Sequence, residues 1–160
     1  MRIRLLFLPL ALSMPGALTA ETVVRHPLAS SRLILEGVTV NPGAQTLLLS
    51  GRGPALLDPA DPKAGYGDTQ AQTESALKGI GEALARQGFA FSDVVKLTIY
   101  IVADRNLGKP DYAGMNAGFR KYFGSADNPQ TVARSAVEVA GIQFPGMLVE
   151  IEAVAARDAR

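Results

Sequence analysis

The sequence predicts a single α+β domain built on one mixed β-sheet with two helices on one face. Five segments alternate apolar and polar residues or are rich in β-branched residues, and two further segments repeat apolar residues at helical spacing. Two helices are too few to cover both faces of a sheet, so the other face is predicted to pack against a second copy of the chain. With 160 residues, 48% of them hydrophobic, the chain is long enough for one core of this kind.

The first two strands are predicted at 32–40 (RLILEGVTV) and 45–50 (QTLLLS). Between them, Pro42 and Gly43 mark a turn, because proline fixes one backbone dihedral and glycine permits a positive φ. These two strands are therefore expected to form a β-hairpin. The stretch 51–68 is rich in Gly, Pro and Asp without a consistent period, and it is predicted to be a surface loop at the rim of a pocket.

A helix is predicted at 69–87, with Asp68 or Thr69 to cap its start and Gly88 to end it. The run of β-branched residues at 94–102 is typical of a strand in the interior of a sheet. The apolar face of the helix consists of Ala76, Leu77, Ile80, Ala83 and Leu84.

A second helix is predicted at 110–123, with Pro110 in its first turn and Gly124 just beyond its end. Asn116 interrupts its apolar face, where an ordinary surface amide is not expected. Asn116 is therefore a candidate functional residue. The face itself is formed by Tyr112, Met115, Phe119 and one of Tyr122 and Phe123.

Two more strands are predicted near the C-terminus, in VARSAVEVA and MLVEIEAVA, joined by the linker GIQFPG. Side chains repeat every two residues along a strand, so Arg134 and Glu138 share one side of the first strand. Glu150 and Glu152 share one side of the second. If the two strands pair, a guanidinium faces a carboxylate across the sheet. This arrangement fits either a salt-bridged ladder on a solvated face or a ligand site, and the residues alone leave both open.

Residues 1–20 have the pattern of a secretory signal peptide. Arg2 and Arg4 precede an apolar run, 5–12, and small residues follow up to Ala20. The apolar run is too short for a stable membrane span, so we expect an exported, periplasmic protein with no membrane attachment after cleavage. An uncleaved membrane anchor is the alternative. The remaining chain is divided into an irregular N-terminal arm at 21–31, the folded domain at 32–156 and a tail at 157–160.

The composition excludes several classes of function. Without the two arginines of residues 1–20, 14 basic residues face 15 acidic ones, a net charge of −1, so no basic surface for nucleic acid is expected. The absence of cysteine excludes disulfides, thiolate nucleophiles and Cys-based zinc sites. A single histidine, His26, provides neither a catalytic triad nor a multi-histidine metal site.

Several motifs, in this order and spacing, resemble the RidA family, also called the YjgF family and formerly endoribonuclease L-PSP. The resemblance covers about residues 32–156. Its most specific part is ARSAVEVA followed by VEIEAVA. Supporting parts are Gln72 and Thr73, the segment SDVVKLTIYI, and Met115 and Asn116 followed by the aromatic Phe119.

The resemblance implies a chorismate-mutase-like fold and a homotrimer with three clefts between subunits. It also implies hydrolysis of reactive 2-imino or 2-enamino acids to 2-keto acids and ammonia, without a cofactor or metal. The partner would be a small substrate that bears a carboxylate. The alternative is a non-catalytic trimeric protein that binds small carboxylates on the same fold.

The resemblance also implies roles for individual residues. Arg134 matches the family's carboxylate-binding arginine, since a guanidinium can hold a carboxylate by two parallel hydrogen bonds. Glu150 matches the glutamate that orients the attacking water. Main-chain groups at Ser135 and Ala136 are expected to hold water or nitrogen. Asn116 matches a cleft position, although a structural amide bonded to the backbone is an equally good interpretation.

Several departures from the family pattern point to a reshaped pocket. Ile34 stands where family deaminases carry a cleft tyrosine, so a hydroxyl is missing. The loop at 105–109 is extended, and one residue is inserted between Ala140 and Glu150. A ribonuclease is disfavoured by the charge and by the lack of a histidine pair. A chorismate mutase, which would share the implied fold, is disfavoured by the C-terminal motif.

Overall fold

The computed structural model describes residues 21–159. The predicted signal peptide lies outside the described residues. None of the helices in the described part of the chain is long and apolar enough to cross a membrane. The elements, in chain order, are β1 (Val23–Pro27), β2 (Leu35–Val40), β3 (Ala44–Arg52), α1 (Thr69–Arg86), β4 (Val94–Ile101), α2 (Tyr112–Arg120), β5 (Ala133–Glu138) and β6 (Val149–Asp158).

The six strands form one sheet in the order β1-β2-β5-β4-β6-β3. Strand β5 is parallel to β2 and β4, while the β1–β2, β4–β6 and β3–β6 pairs are antiparallel. The predicted α+β fold with a single mixed sheet and two helices is therefore confirmed. The predicted interior strand is β4, which lies between β5 and β6.

Both helices pack on one face of the sheet. Alternate residues of β4 and β6 point toward them and are fully buried, as the two-residue period requires. The aromatic rings of Phe119 and Phe123 stack at 5.0 Å between centroids within this layer. The principal contributors to the core are Leu77, Ile80, Leu84, Leu97, Ile99, Ile101, Met115, Phe119 and Ile151.

The other sheet face, called the open face below, carries no helix. Leu48 is 74% exposed and Val137 47% exposed on this face. Large apolar side chains so exposed on a sheet face are typical of a surface that another protein covers. The uncovered face predicted from the number of helices is therefore present. Its residues are Leu48, Lys96, Thr98, Tyr100, Ser135, Val137, Glu150, Glu152 and Val154.

The predicted hairpin between the first two strands is wrong. The segment 21–31, predicted as an irregular arm, contains β1, and β1 takes the antiparallel position beside β2. Asn41 donates its backbone N–H to Thr22 O (2.8 Å) and its side-chain amide to Glu21 O (2.8 Å). These bonds hold the end of β2 to β1, and the chain then continues into β3, which pairs with β6.

The two C-terminal strands also do not pair with each other. Strand β4 lies between them, parallel to β5 and antiparallel to β6. The condition under which the sequence placed Arg134 opposite a carboxylate, direct pairing of these two strands, is therefore not met. This placement changes which charged side chains can meet.

The helix ends follow the capping rules. Asp68 caps α1 by accepting a hydrogen bond from Ala71 N (2.8 Å), and Gly88 follows the helix with φ of 72°. Helix α2 is shorter than predicted: Asp111 caps it through Gly114 N (2.9 Å), and regular helix ends at Arg120. The helix begins after Asp111 rather than at Pro110 because the Asp111 side chain can accept a hydrogen bond from the first turn.

The fully buried amide of Gln72 joins α1 to the chain that enters β6. Its Nε2 donates to Gly67 O (2.9 Å) and Gly146 O (3.0 Å), and its Oε1 accepts from Leu148 N (2.7 Å). Gln72 has no exposed surface, so its amide depends on these three backbone partners rather than on water. The amide therefore holds the 146–148 loop in place.

We expect Gln72→Leu to lower the free energy of unfolding by about 3 kcal/mol, because the three hydrogen bonds of a fully buried amide, each contributing about 1 kcal/mol, would be lost. Urea denaturation at fixed protein concentration measures the change. Gln70→Leu is the matched control, since the Gln70 amide makes a single hydrogen bond, to Glu74 Oε1 (2.9 Å). The control is expected to change stability by less than about 0.5 kcal/mol. Equal losses in the two variants would contradict the role given to Gln72.

Candidate functional site

Arg134 lies on β5 and points toward the helices. It is the register partner of Leu97, a core residue of β4. Its guanidinium carbon sits 4.5 Å from the centroid of the Phe119 ring, a cation–π arrangement. Nη1 is buried and has no hydrogen-bond partner among the described residues. Burial lowers the pKa of Arg134, and the nearby charge of Arg120 lowers it further.

A buried guanidinium without a carboxylate is unusual, because taking a charge out of water is costly unless it is paired. Arginine donors match the two oxygens of a carboxylate in plane and spacing. The geometry of Arg134 therefore suits an anionic ligand better than a structural ion pair. Of the two interpretations left open by the sequence, the salt-bridged ladder is not formed within the described chain.

Asn116 lies on α2, the helix whose Phe119 ring contacts this guanidinium. It precedes Phe119 by three residues, and residues at this spacing share one side of a helix. Its Oδ1 is also buried without a hydrogen-bond partner in the described residues. The Asn116 side chain makes no hydrogen bond to the backbone of residues 21–159, so the structural interpretation is not realised within the described chain and the cleft position stays a prediction.

The other predicted binding residues are Ser135, Ala136 and Ile34. They do not all lie on the same side of the sheet as Arg134. Ser135 is exposed on the open face, where its Oγ accepts a hydrogen bond from Lys96 Nζ (2.8 Å). Ala136 returns to the helix face and packs against the core. Ile34 is half-buried just before β2, next to Leu35, which pairs with Ala133. Ile34 thus lies close to Arg134 across the paired backbones of β2 and β5.

Glu150 lies on β6 and points to the open face. It is the register partner of Tyr100 on β4. Its side chain passes over Gly51 on β3. A Cβ at residue 51 would lie only 2.9 Å from Glu150 Cδ, and closer still to Oε1. Gly51 sits at the bulge between Leu49 and Arg52. The absence of a side chain at residue 51 therefore makes room for the Glu150 carboxylate.

Glu152 also points to the open face, where its partner is a tyrosine of the neighbouring strand β4. The Tyr100 hydroxyl donates to Glu152 Oε2 at 3.1 Å. This hydrogen bond raises the pKa of Tyr100 above its usual value. Glu152 is thus engaged on the open face, while Glu150, on the same side of β6, has no side-chain hydrogen bond or ion pair with the described residues.

Arg134 and Glu150 do not meet within one chain. Their register partners on β4, Leu97 and Tyr100, are three residues apart, and an odd separation places side chains on opposite faces. The expectation that a guanidinium faces a carboxylate across two paired strands is therefore wrong for a single chain. A site that contained both residues would require a second copy of the chain.

The loops that depart from the family pattern line a separate cleft. It has a volume of about 720 Å³ and lies between the 102–106 and 140–148 loops. Of the 51–68 loop, predicted as a pocket rim, Gly67 and Asp68 line it. Neither Arg134 nor Glu150 does. Within residues 21–159, no group of three or more His, Cys, Asp or Glu side chains is arranged to hold a metal ion.

Comparisons with known proteins agree with this fold and these motifs. The sequence profile of the Endoribonuclease L-PSP family matches residues 37–157. A RutC family protein of Pyrococcus horikoshii is 38% identical over 103 residues, which cover 62% of this chain and 74% of that protein. A 2-iminobutanoate/2-iminopropanoate deaminase of Capra hircus is 35% identical over 111 residues, covering 69% of this chain and 72% of that enzyme.

Solved structures lead to the same family. The Rid family protein YyfB of Yersinia pestis has a TM-score of 0.64 and 22% identity, covering 84% of this chain and 98% of that one, and shows the fold. The YjgF protein of E. coli has a TM-score of 0.55 and 31% identity, covering 74% and 84%. This chain belongs to the Endoribonuclease L-PSP family, the RidA or YjgF family of the sequence analysis.

Three residues near the site were not found by sequence reasoning alone. Phe119 was assigned to the core, although its ring also supports Arg134. Gly51 follows an apolar strand, and a lone glycine there is a known sign of a bulge or a close approach. Arg120 lies four residues after Asn116, and this helical spacing could have linked the two.

We expect Arg134→Met to raise the free energy of unfolding of the ligand-free protein by about 1 kcal/mol, because an unpaired buried charge is removed and methionine still packs on Phe119. Urea denaturation at one protein concentration measures this. Arg86→Met, at an exposed position in the last turn of α1, is the control and is expected to have little effect. A loss of stability in Arg134→Met would mean that the guanidinium is a structural group.

Proposed function

We propose that this protein hydrolyses 2-imino or 2-enamino acids to 2-keto acids and ammonia. The observation that carries the proposal is the buried guanidinium of Arg134, which has no partner within the described chain and suits a carboxylate. Asn116, on the helix whose Phe119 contacts Arg134, adds a buried, unpaired amide oxygen that could accept a hydrogen bond from a substrate nitrogen. The similarity to a protein named 2-iminobutanoate/2-iminopropanoate deaminase supports the same chemistry.

In the proposed reaction, Arg134 holds the substrate carboxylate by two hydrogen bonds and so fixes the adjacent C=N carbon. A water molecule attacks that carbon while Glu150 takes its proton, and the C=N electron pair moves to nitrogen, which is protonated. The C–N bond of this adduct then breaks. Ammonia leaves, and the oxygen derived from water becomes the keto group. No oxidant or reductant is consumed.

The proposal places this site between subunits of a homotrimer. Arg134 and Glu150 point to opposite sheet faces of one chain, so both can line one cleft only if they come from neighbouring copies. The exposed apolar residues Leu48 and Val137 suit burial of the open face in such an assembly. In a ring, each cleft would receive Arg134 from one subunit and Glu150 from the next.

We expect the chain from Glu21 onward to accelerate the decay of 2-iminobutanoate generated in situ by an amino-acid-deaminating enzyme. Arg134→Met is expected to reduce kcat/KM about 100-fold, because two charge-assisted hydrogen bonds are lost. Glu150→Gln is expected to do so to a similar extent by removing the proton acceptor. Gly51→Ala should also reduce the rate, since its Cβ would displace the Glu150 carboxylate.

The controls for this assay are Arg86→Met and Glu82→Gln, both at exposed positions of α1. Co-expression of Arg134→Met with Glu150→Gln provides a sharper test of the subunit arrangement. If each site takes one residue from each neighbour, random mixing restores about one quarter of the sites, although each variant alone is inactive. Absence of any recovery in verified mixed trimers would contradict a shared site.

A non-catalytic carboxylate-binding protein is distinguished by the same preparations. It would be stabilised by 2-oxobutanoate through Arg134, seen as a rise in Tm, while the imine decays at its uncatalysed rate. The similarity to an enzyme favours turnover, and the missing tyrosine at Ile34 favours binding. Failure of wild-type protein to accelerate imine decay would therefore replace the deaminase proposal with the binding one.

The proposal includes export to the periplasm. The support is the sequence pattern of residues 1–20, with its two arginines and short apolar run. We expect the chain produced in a Gram-negative host to be recovered from the periplasm with its N-terminus at Glu21, as measured by mass spectrometry of the intact protein. Recovery of the full-length chain from the cytoplasm would contradict export.

A further inference from the structure

A second cation, Arg120, lies at the edge of the Arg134 site. Arg120 is the last residue of α2 and is exposed. It follows Phe119, whose ring lies under the Arg134 guanidinium, and it comes four residues after Asn116, on the same side of the helix. The end of α2 therefore places an exposed arginine directly after the ring that contacts the partly buried guanidinium of Arg134. Its positive charge acts on Arg134 and helps to lower the pKa of that group.

Neither arginine has an acidic partner in the described part of the chain. The next residue, Lys121, forms an ion pair with Glu74 at 2.7 Å, whereas no carboxylate of residues 21–159 lies within 4.0 Å of the guanidinium of Arg120 or Arg134. Two neighbouring cations repel each other, and the repulsion is relieved when anions bind between them. A single carboxylate on Arg134 would balance only one of the two charges.

We propose that the site selects substrates with two carboxylates, so that Arg134 holds the carboxylate beside the reacting carbon and Arg120 binds the distal one at the mouth. The inference rests on the proposed function and deepens it, because it names 2-imino and 2-keto dicarboxylic acids as the substrate class. Arg120 is exposed and free to move, so it adds a weaker and more salt-sensitive interaction than Arg134. It is a specificity-determining residue, while Arg134 is needed for any carboxylate.

The experiment compares two keto acids that differ only in the distal group, 2-oxopentanoate and 2-oxopentanedioate. Their affinities for the full oligomer are measured by isothermal titration calorimetry at low salt. The wild-type protein is expected to bind the dicarboxylate about three- to fivefold more tightly, the range of an exposed ion pair. Arg120→Gln is expected to remove this preference without changing the affinity for 2-oxopentanoate. Raising the salt concentration should reduce the preference in the wild-type protein.

Arg86→Gln is the matched control, because Arg86 is the exposed arginine in the last turn of the other helix. It should retain the dicarboxylate preference. Arg134→Met should lose affinity for both acids. These two variants separate a local contact from a general effect of net charge.

The outcomes distinguish this inference from the function on which it rests. Equal affinities in the wild-type protein, or an unchanged preference in Arg120→Gln, would overturn the selection of dicarboxylates alone, with the carboxylate site intact. Dissociation of the oligomer in Arg120→Gln, measured by light scattering, would also overturn it by assigning Arg120 to the subunit contact. If neither acid binds to the wild-type protein, the proposed carboxylate site itself is wrong.

Discussion

The proposed site depends on the guanidinium of Arg134, which has no ion-pair partner in the described chain. The guanidinium is held over Phe119 and is partly removed from water, yet the described chain supplies no carboxylate to neutralise it. Burying a charge in this way opposes folding by several kcal/mol in unfavourable cases. The stability that permits it must come from elsewhere, chiefly from the helix-covered core and the Gln72 bonds. The same desolvation strengthens any hydrogen bond that an incoming carboxylate makes.

The position of β4 determines how the charges are distributed. Because β4 separates β5 from β6, Arg134 and Glu150 are not paired with each other. The sheet face of Arg134 follows from its register with Leu97, and that of Glu150 from its register with Tyr100. Had β5 and β6 paired directly, a salt bridge could have formed within one chain and the guanidinium would not be free for a ligand. The inserted strand keeps the two charged groups apart. The proposed site, which contains both residues, would therefore form only between copies of the chain.

Local patterns in the sequence predicted most of the elements. Helix α1 and strand β4 follow from strong periodicity and capping residues, which act over a few positions. Strand β1 was missed because VVRHP has only two β-branched residues and ends in proline. The strand order could not be read locally, since pairing depends on contacts far apart in sequence. For the same reason the role of the Gln72 amide, which bonds to residues 74 and 76 positions away, was not visible.

The site residues divide in a similar way. Arg134 and Glu150 were found by motif, whereas their opposite faces required the register of β4. Ile34 and Arg120 together explain why this pocket should differ from those of family deaminases that carry a tyrosine at the Ile34 position. In the proposed site, the isoleucine would replace a neutral hydroxyl, while Arg120 would add a charged donor for the distal end of the substrate. Replacing a short-range hydrogen bond by a longer-range charge would change how the pocket selects its substrate. The charge at the far end of the substrate would then matter more than the shape beside the reacting carbon.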